Sequence, residues 1–211
     1  MKTGLLFLVI FTSVSSLSAQ HYGGIYFSPN WNSSTINSSG YDVSGNYKTS
    51  LDYTFGYSIG YQGLMLGDRR FSFSYGLQYA HQYLPSYNPS NLLTKYDPDQ
   101  NAIGIKKTTH SLEVPLSWRY NILKNKKLQP YISAGLTFRM PFKTSFDLLN
   151  SDGSEEGIPY QKNDPFSIFA DFGIGLNYKV NENLMISVQP TIRPWKDDGK
   201  IGIGFSIMKK F

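Results

Sequence analysis

The stretch LDYTFGYSIGYQGLM, residues 51–65, decides the fold. Leu51, Tyr53, Phe55, Tyr57, Ile59, Tyr61, Gly63 and Met65 take alternate positions, with Asp52, Thr54, Gly56, Ser58, Gly60 and Gln62 between them. Such strict period two marks a β-strand with two unlike faces, because successive side chains on a strand point to opposite sides. One face is aromatic and apolar; the other is small and polar. A soluble protein turns the first face inward, and a membrane barrel turns it outward.

The pattern recurs. Period-two runs cover approximately residues 22–31, 51–65, 71–84, 108–121, 129–141, 166–180, 184–195 and 200–211, and no stretch after residue 20 holds a helical period. Short turns (LGDRR, ILKNKK and NEN) follow the second, fourth and sixth runs. Long polar segments, 32–50, 85–107 and 142–165, follow the first, third and fifth; the connection near 196–199 is short. Eight strands place both termini at one end with the short turns and the long loops at the other. The expected fold is therefore all-β, an eight-stranded antiparallel transmembrane up-and-down barrel with both termini at the turn end.

Volume chooses between the faces. An eight-stranded barrel has an interior just wide enough for side chains to fill. The Tyr, Phe, Leu and Ile faces of eight strands overfill it; Gly, Ser and Thr with a few long polar chains fit. The ringed face must then meet lipid, since it far exceeds the apolar patches that soluble monomers expose. A soluble barrel, apolar inside, is the rival reading. About nine to eleven tilted residues span a bilayer, and several runs exceed that. Tyr61, Phe71, Trp118, Tyr120, Tyr178 and Phe211 cluster toward the short turns, as an interfacial girdle does. Pro115 and Pro190 fall inside expected strands and call for bulges or local solvation from the lumen.

Composition supports one exported domain. The chain has 211 residues, 16 Tyr, 14 Phe and 19 Gly, only 17% charged residues, and a mean hydropathy of -0.31. Residues 1–19, MKTGLLFLVIFTSVSSLSA, carry one Lys, a short apolar run and a small-residue end, the layout of a secretory signal peptide removed after Ala19. The apolar run is about half of what a spanning helix needs, and an uncleaved anchor is the rival. Residues 20–211 form the barrel domain. Without any cysteine there is no disulfide, thiolate metal site or lipid-modified anchor. A net charge of +5 carried by scattered Lys and Arg gives no support to nucleic-acid binding.

With strand order, loop asymmetry and the C-terminal segment IGIGFSIMKKF in view, the chain resembles the small outer-membrane barrels of the OmpA, OmpX and OmpW kind, and among them the PorT-like barrels of Bacteroidetes. The resemblance is architectural and covers residues 20–211. It implies a bacterial outer-membrane location in contact with lipid and lipopolysaccharide. It also implies that Phe205, Ile207 and Phe211 are the signal read by the barrel assembly machinery. PorT-likeness adds assistance of protein secretion.

The candidate site lies in the lumen. Asp52, Glu113, Arg119, Arg139, Asp171 and Arg193 fall on the inward face as a polar network, joined by Lys179. If the NEN turn centres two strands on Glu182, Asp171 faces Arg193 and Asn177 faces Ser187. Two roles fit this set: a plug of paired charges, or the charged constriction of a narrow channel for small solutes. The plug is favoured because wide aqueous channels belong to larger barrels.

Other motifs carry less. Asp97, Asp99 and Asn101 have the first spacings of an EF-hand loop, and Asn150, Asp152, Ser154 and Glu156 echo it. But Ala102 stands where the sixth-position glycine belongs and Thr108 where the twelfth-position Glu belongs, so solvated loop residues are the better reading. His21, His81 and His110 are dispersed, without metal-ligand spacing. A lipid-modifying barrel enzyme is the third reading, although the pair His110 and Ser111 fails on geometry, since neighbours on a strand face opposite ways. No enzyme and no cofactor is expected. Loop tyrosines Tyr41, Tyr47, Tyr87 and Tyr96, set among Ser, Asn and Gly, suit adaptable contact with envelope or secretion proteins, and the same composition equally describes an idle solvated loop.

Overall fold

A computed structural model describes residues 20–35, 51–67, 70–87, 102–123, 126–150, 152–159, 165–194 and 199–211. The expected signal peptide, residues 1–19, the loop tyrosines Tyr41, Tyr47 and Tyr96, and Asp97, Asp99 and Asn101 lie outside them. The strands are β1 (Gln20–Thr35), β2 (Leu51–Leu66), β3 (Phe71–Tyr87), β4 (Ala102–Asn121), β5 (Leu128–Asn150), β6 (Glu155–Ile158), β7 (Ser167–Lys179), β8 (Leu184–Arg193) and β9 (Gly199–Lys210). All except β6 pair with both neighbours, always antiparallel, and β9 pairs with β1 from Tyr22↔Lys210 to Ser33↔Gly199. The result is a closed eight-stranded barrel, with β6 as a short extra strand on the outer extension of β5. Closure pairs the backbone groups that hydrocarbon would leave without partners.

The alternation in residues 51–65 resolves outward for the rings. Phe55, Tyr57, Ile59 and Tyr61 are exposed while Ser58 and Gln62 are buried. The same holds around the wall, with Ile25 71% and Ile174 63% exposed and Ser74, Ser187 and Ser206 buried. At the turn end Phe71 meets Tyr120 at 5.3 Å and Phe73 meets Trp118 at 5.6 Å. Trp31 and Phe55, 6.0 Å apart, begin a second aromatic belt at the loop end.

Some large residues do point inward. Tyr22, Leu64, Met185 and Met208 form an apolar cluster inside the turn end. Tyr131 fits because its partner in the register is Gly175. A Cβ on Gly175 would lie 2.3 Å from the Tyr131 ring, so the missing side chain makes the room.

Pro29, Pro115 and Pro190 are accommodated without bulges. The β3–β4 ladder lapses between Tyr75↔Leu116 and Gln78↔Glu113, beside Pro115, and resumes in the same register. The β7–β8 ladder lapses beside Pro190, and β1–β9 beside Pro29, in the same way. Each proline keeps its place in the ladder on its other side, Pro115↔Thr137, Pro190↔Ile203 and Pro29↔Tyr57. A ring without N–H thus costs pairing on one side only.

Residues 142–165 are not a plain polar loop, contrary to the reading from alternation. Strand β5 continues to Asn150 and folds back as β6. Between His110↔Lys143 and Ser111↔Pro141 the register shifts, which makes Phe142 the extra residue of a bulge. A bulge exchanges the two faces for every residue beyond it. Before it Thr137 and Arg139 face in; after it Thr144, Phe146 and Leu148 do. Phe146 and Leu148 are buried, as are Ile105 and Ile158, so the extension has an apolar interior of its own. Asp152 closes its turn: Ser154 donates to Oδ1 from its backbone N at 2.8 Å and from Oγ at 2.6 Å, beside Gly153 at φ 83°. These bonds give Asp152 and Ser154 a turn-forming role in place of the calcium spacing.

Candidate functional site in the barrel lumen

The lumen site follows from parity. Inward positions on β4 bring Glu113 and Arg119 to the interior, β5 brings Arg139, and β7 and β8 bring Asp171 and Arg193. The β7–β8 register centres on Glu182, with Asn177 opposite Ser187. Asn181 shapes that turn by accepting from the backbone N of Asn183 and Leu184 at 2.8 and 2.9 Å.

Arg193 is the hub. Its Nε donates to Asp171 Oδ1 at 2.8 Å and Nη2 to Oδ2 at 3.1 Å, while Nη1 lies 3.7 Å from Glu113 Oε1. The guanidinium stacks over Phe169 at 4.2 Å, and Thr137 donates to Asp171 Oδ2 at 2.5 Å. Glu113 receives Lys200 on its other oxygen at 3.4 Å. Four strands, β4, β7, β8 and β9, are therefore tied across the bore by one chain of charges. Arg193 and Glu113 are each only 2% exposed, so neither is left to be compensated by bulk water. A cavity of about 70 Å³ remains among Gln78, Glu113, Asp171, Gln189, Arg193 and Lys200, room for very few waters.

A second layer lies toward the turn end. Arg119 donates from Nη2 to Gln189 Oε1 at 2.8 Å and to Ser74 Oγ at 3.2 Å, with its face over Tyr131 at 4.6 Å. Tyr131 donates to the same Gln189 oxygen at 3.1 Å, and Gln189 Nε2 donates to Ser133 at 3.1 Å. On the loop side Arg139 donates to Gln82. Below all of these lies the apolar cluster of Tyr22, Leu64, Met185 and Met208.

Of the residues expected in the network, Glu113, Asp171 and Arg193 meet directly. Arg119 and Arg139 occupy separate layers. Asp52 pairs in register with Ser34, and its side chain lies outside the described residues. Sequence reasoning passed over Lys200 and Gln189. Lys200 shares parity with Gly202, Gly204 and Ser206 on β9, which was the available signal. Phe205, Ile207 and Phe211 face outward, and the last strand is pinned by Phe211 N donating to His21 O at 3.0 Å. His110 faces the wall and Ser111 is fully buried on the opposite side, so the two do not combine.

A closed antiparallel barrel with rings outside and ion pairs inside defines a transmembrane β-barrel protein. Residues 4–207 match the family described as Outer membrane protein beta-barrel domain, and the chain belongs to that family, whose place is the bacterial outer membrane. No curated protein matches it in sequence. Among solved structures it is similar to Neisserial surface protein A, at 14% identity and a TM-score of 0.50 over 90% of this chain and 97% of that one. It is also similar to OprG of Pseudomonas aeruginosa, at 10% identity and 0.48 over 91% and 94%. For Ail of Yersinia pestis, solved with the heparin analogue sucrose octasulfate, the values are 10% and 0.47 over 92% and 99%. At such identities the likeness speaks for the fold alone.

Proposed function

We propose that this outer-membrane barrel is a non-conducting scaffold that acts through contacts with other envelope components at its loop end, and that it is not an enzyme. The observation that carries this reading is the Arg193–Asp171–Glu113–Lys200 chain spanning the bore, backed by the apolar cluster at the turn end. Opposite charges at bonding distance neutralise one another across the bore. A constriction built to pass ions keeps its charges facing a wet channel.

In a non-conducting barrel, the extended β4–β5–β6 region and the loops are the surfaces through which partners are met. The resemblance to PorT-like barrels supports a specific form of this role, assistance of protein export across the outer membrane. The layout of residues 1–19 supports their removal as an export signal, and the outward C-terminal residues Phe205, Ile207 and Phe211 suit recognition by the assembly machinery during insertion.

Two measurements test the proposal. Purified barrel in planar bilayers is expected to be electrically silent, and a steady open conductance would favour the narrow-channel reading. Gene deletion is expected to change the set of surface and secreted proteins. An unchanged set would remove the export role and leave a structural one.

A further inference from the structure

Four side chains stand in one row across the outer wall. Tyr57 on β2 pairs with His81 on β3, His81 with His110 on β4, and His110 with Lys143 on β5. The next row toward the turn end is Ile59, Tyr79, Leu112 and Met140. The next row toward the loop end is Phe55, Tyr83, Thr108 and Ser145, with Lys106 above Tyr83 at 5.2 Å and paired with Glu155 at 2.6 Å. Across the histidine row the wall passes from apolar to polar.

Strand geometry places that row at the membrane boundary. From Phe71 in the turn-end girdle to His81 along β3 is about 33 Å of strand, at roughly 3.3 Å per residue. A tilt near 40° makes this about 25 Å along the membrane normal, the height of the apolar band in such barrels. The row therefore sits where the headgroups of the outer leaflet begin.

The side chains there are held in place. The Tyr57 and His81 rings stack at 5.2 Å with 11° between planes, and His81 meets His110 edge-on at 4.9 Å. Tyr79 Oη lies 2.6 Å from His110 Nδ1, and the bulged Phe142 packs against both rings at 6.3 Å. In the tautomer in which the phenol donates into Nδ1, the imidazole proton resides on Nε2 and His110 presents a donor. Two imidazoles and the Lys143 ammonium, on adjacent strands about 5 Å apart, offer donors and positive charge to an oxyanion.

We infer that Tyr57, His81, His110 and Lys143 form a site on the lipid-facing wall for the phosphate of an outer-leaflet lipid headgroup. The phosphate accepts from His81, His110 and Lys143, and the acyl chains run down over Tyr79, Leu112 and Met140. Hydrogen bonds to a charged acceptor are stronger at this partly dehydrated level than in open water. The site is independent of what the loops bind.

The test uses the full mature chain refolded in phosphate-free detergent, with its thermal unfolding midpoint followed by electrophoretic mobility. The probes are bis-phosphorylated lipid A, the same lipid with both phosphates removed, and inorganic phosphate. The phosphorylated lipid is expected to raise the midpoint most. The variant H81Q/H110Q/K143Q should bind it about tenfold or more weakly, as expected for lost charge-assisted bonds. K143Q alone, on an exposed position that the fold does not need, should show a smaller loss. Equal protection by the dephosphorylated lipid, protection by inorganic phosphate to the same degree, or undiminished binding by both variants would overturn the inference.

Discussion

Arg193 and Asp171 face one another across β7 and β8 in a two-bond ion pair, Nε to Oδ1 at 2.8 Å and Nη2 to Oδ2 at 3.1 Å. The pair reaches across the lumen and leaves Nη1 for Glu113. Breaking a buried pair from one side strands the remaining charges, at a cost of about 3–5 kcal/mol. Arg193→Leu is expected to lower the urea midpoint of the refolded barrel accordingly while its bilayer conductance stays at zero. An intact barrel with newly opened ion flow would show that Arg193 gates a channel.

Tyr131 and Gly175 form the complementary relationship on β5 and β7, where a full ring occupies the space of an absent side chain. Gly175→Ala brings a methyl within 2.3 Å of the ring and forces Tyr131 off its bonds to Ser187 and Gln189. Overpacking of this kind costs about 1–3 kcal/mol. Thermal unfolding should show it, and the double variant Gly175→Ala with Tyr131→Ala should not add the two single losses.

A substitution at Phe211 tests the proposed assembly role apart from stability. Its ring is 80% exposed, while its backbone N–H, which a substitution keeps, ties β9 to His21. Phe211→Ala is expected to change the stability of chemically refolded barrel by no more than about 1 kcal/mol, yet to reduce the amount inserted in cells. Equal effects in the two settings would remove the assembly role.

Asp152 gives the hairpin between β5 and β6 a pH dependence. The two bonds from Ser154 hold its carboxyl below the ordinary value of 3.8. A carboxyl lowered on folding contributes stability above its unfolded pKa, and the contribution fades as pH falls through the folded one. The Ser154 amide resonance should thus titrate with a midpoint below 3.8. A midpoint at or above 3.8 would mean that the bonds do not form in solution.

Much of this architecture is legible in residues 51–65, because period two names the strand and the small interior of an eight-stranded barrel names the face. The Asp171–Arg193 pairing is legible for a related reason: a tight turn at Glu182 fixes the register of both strands. The reading ends at Phe142, where one inserted residue exchanges inward and outward positions, so Thr144, Phe146 and Leu148 no longer continue the alternation of Thr137 and Arg139. The turn-end cluster of Tyr22, Leu64, Met185 and Met208 was illegible for another reason. It gathers one residue each from β1, β2, β8 and β9, and no local window contains such a contact. Lys200 marked its parity but not its partner, since Glu113 lies far away in sequence.

The central claim is that lipid, and not the barrel interior, surrounds the rings. The chain has no cysteine, so single cysteines can be introduced and spin-labelled one at a time. In lipid bilayers, labels at Ile59, Ile132, Ile174 and Ile207 should be open to dissolved oxygen and shielded from a water-soluble nickel chelate. Labels at Ser58, Ser133, Ser187 and Ser206 should be shielded from oxygen. The reverse pattern, with the serine positions open to lipid-phase oxygen and the isoleucines closed, would contradict the account.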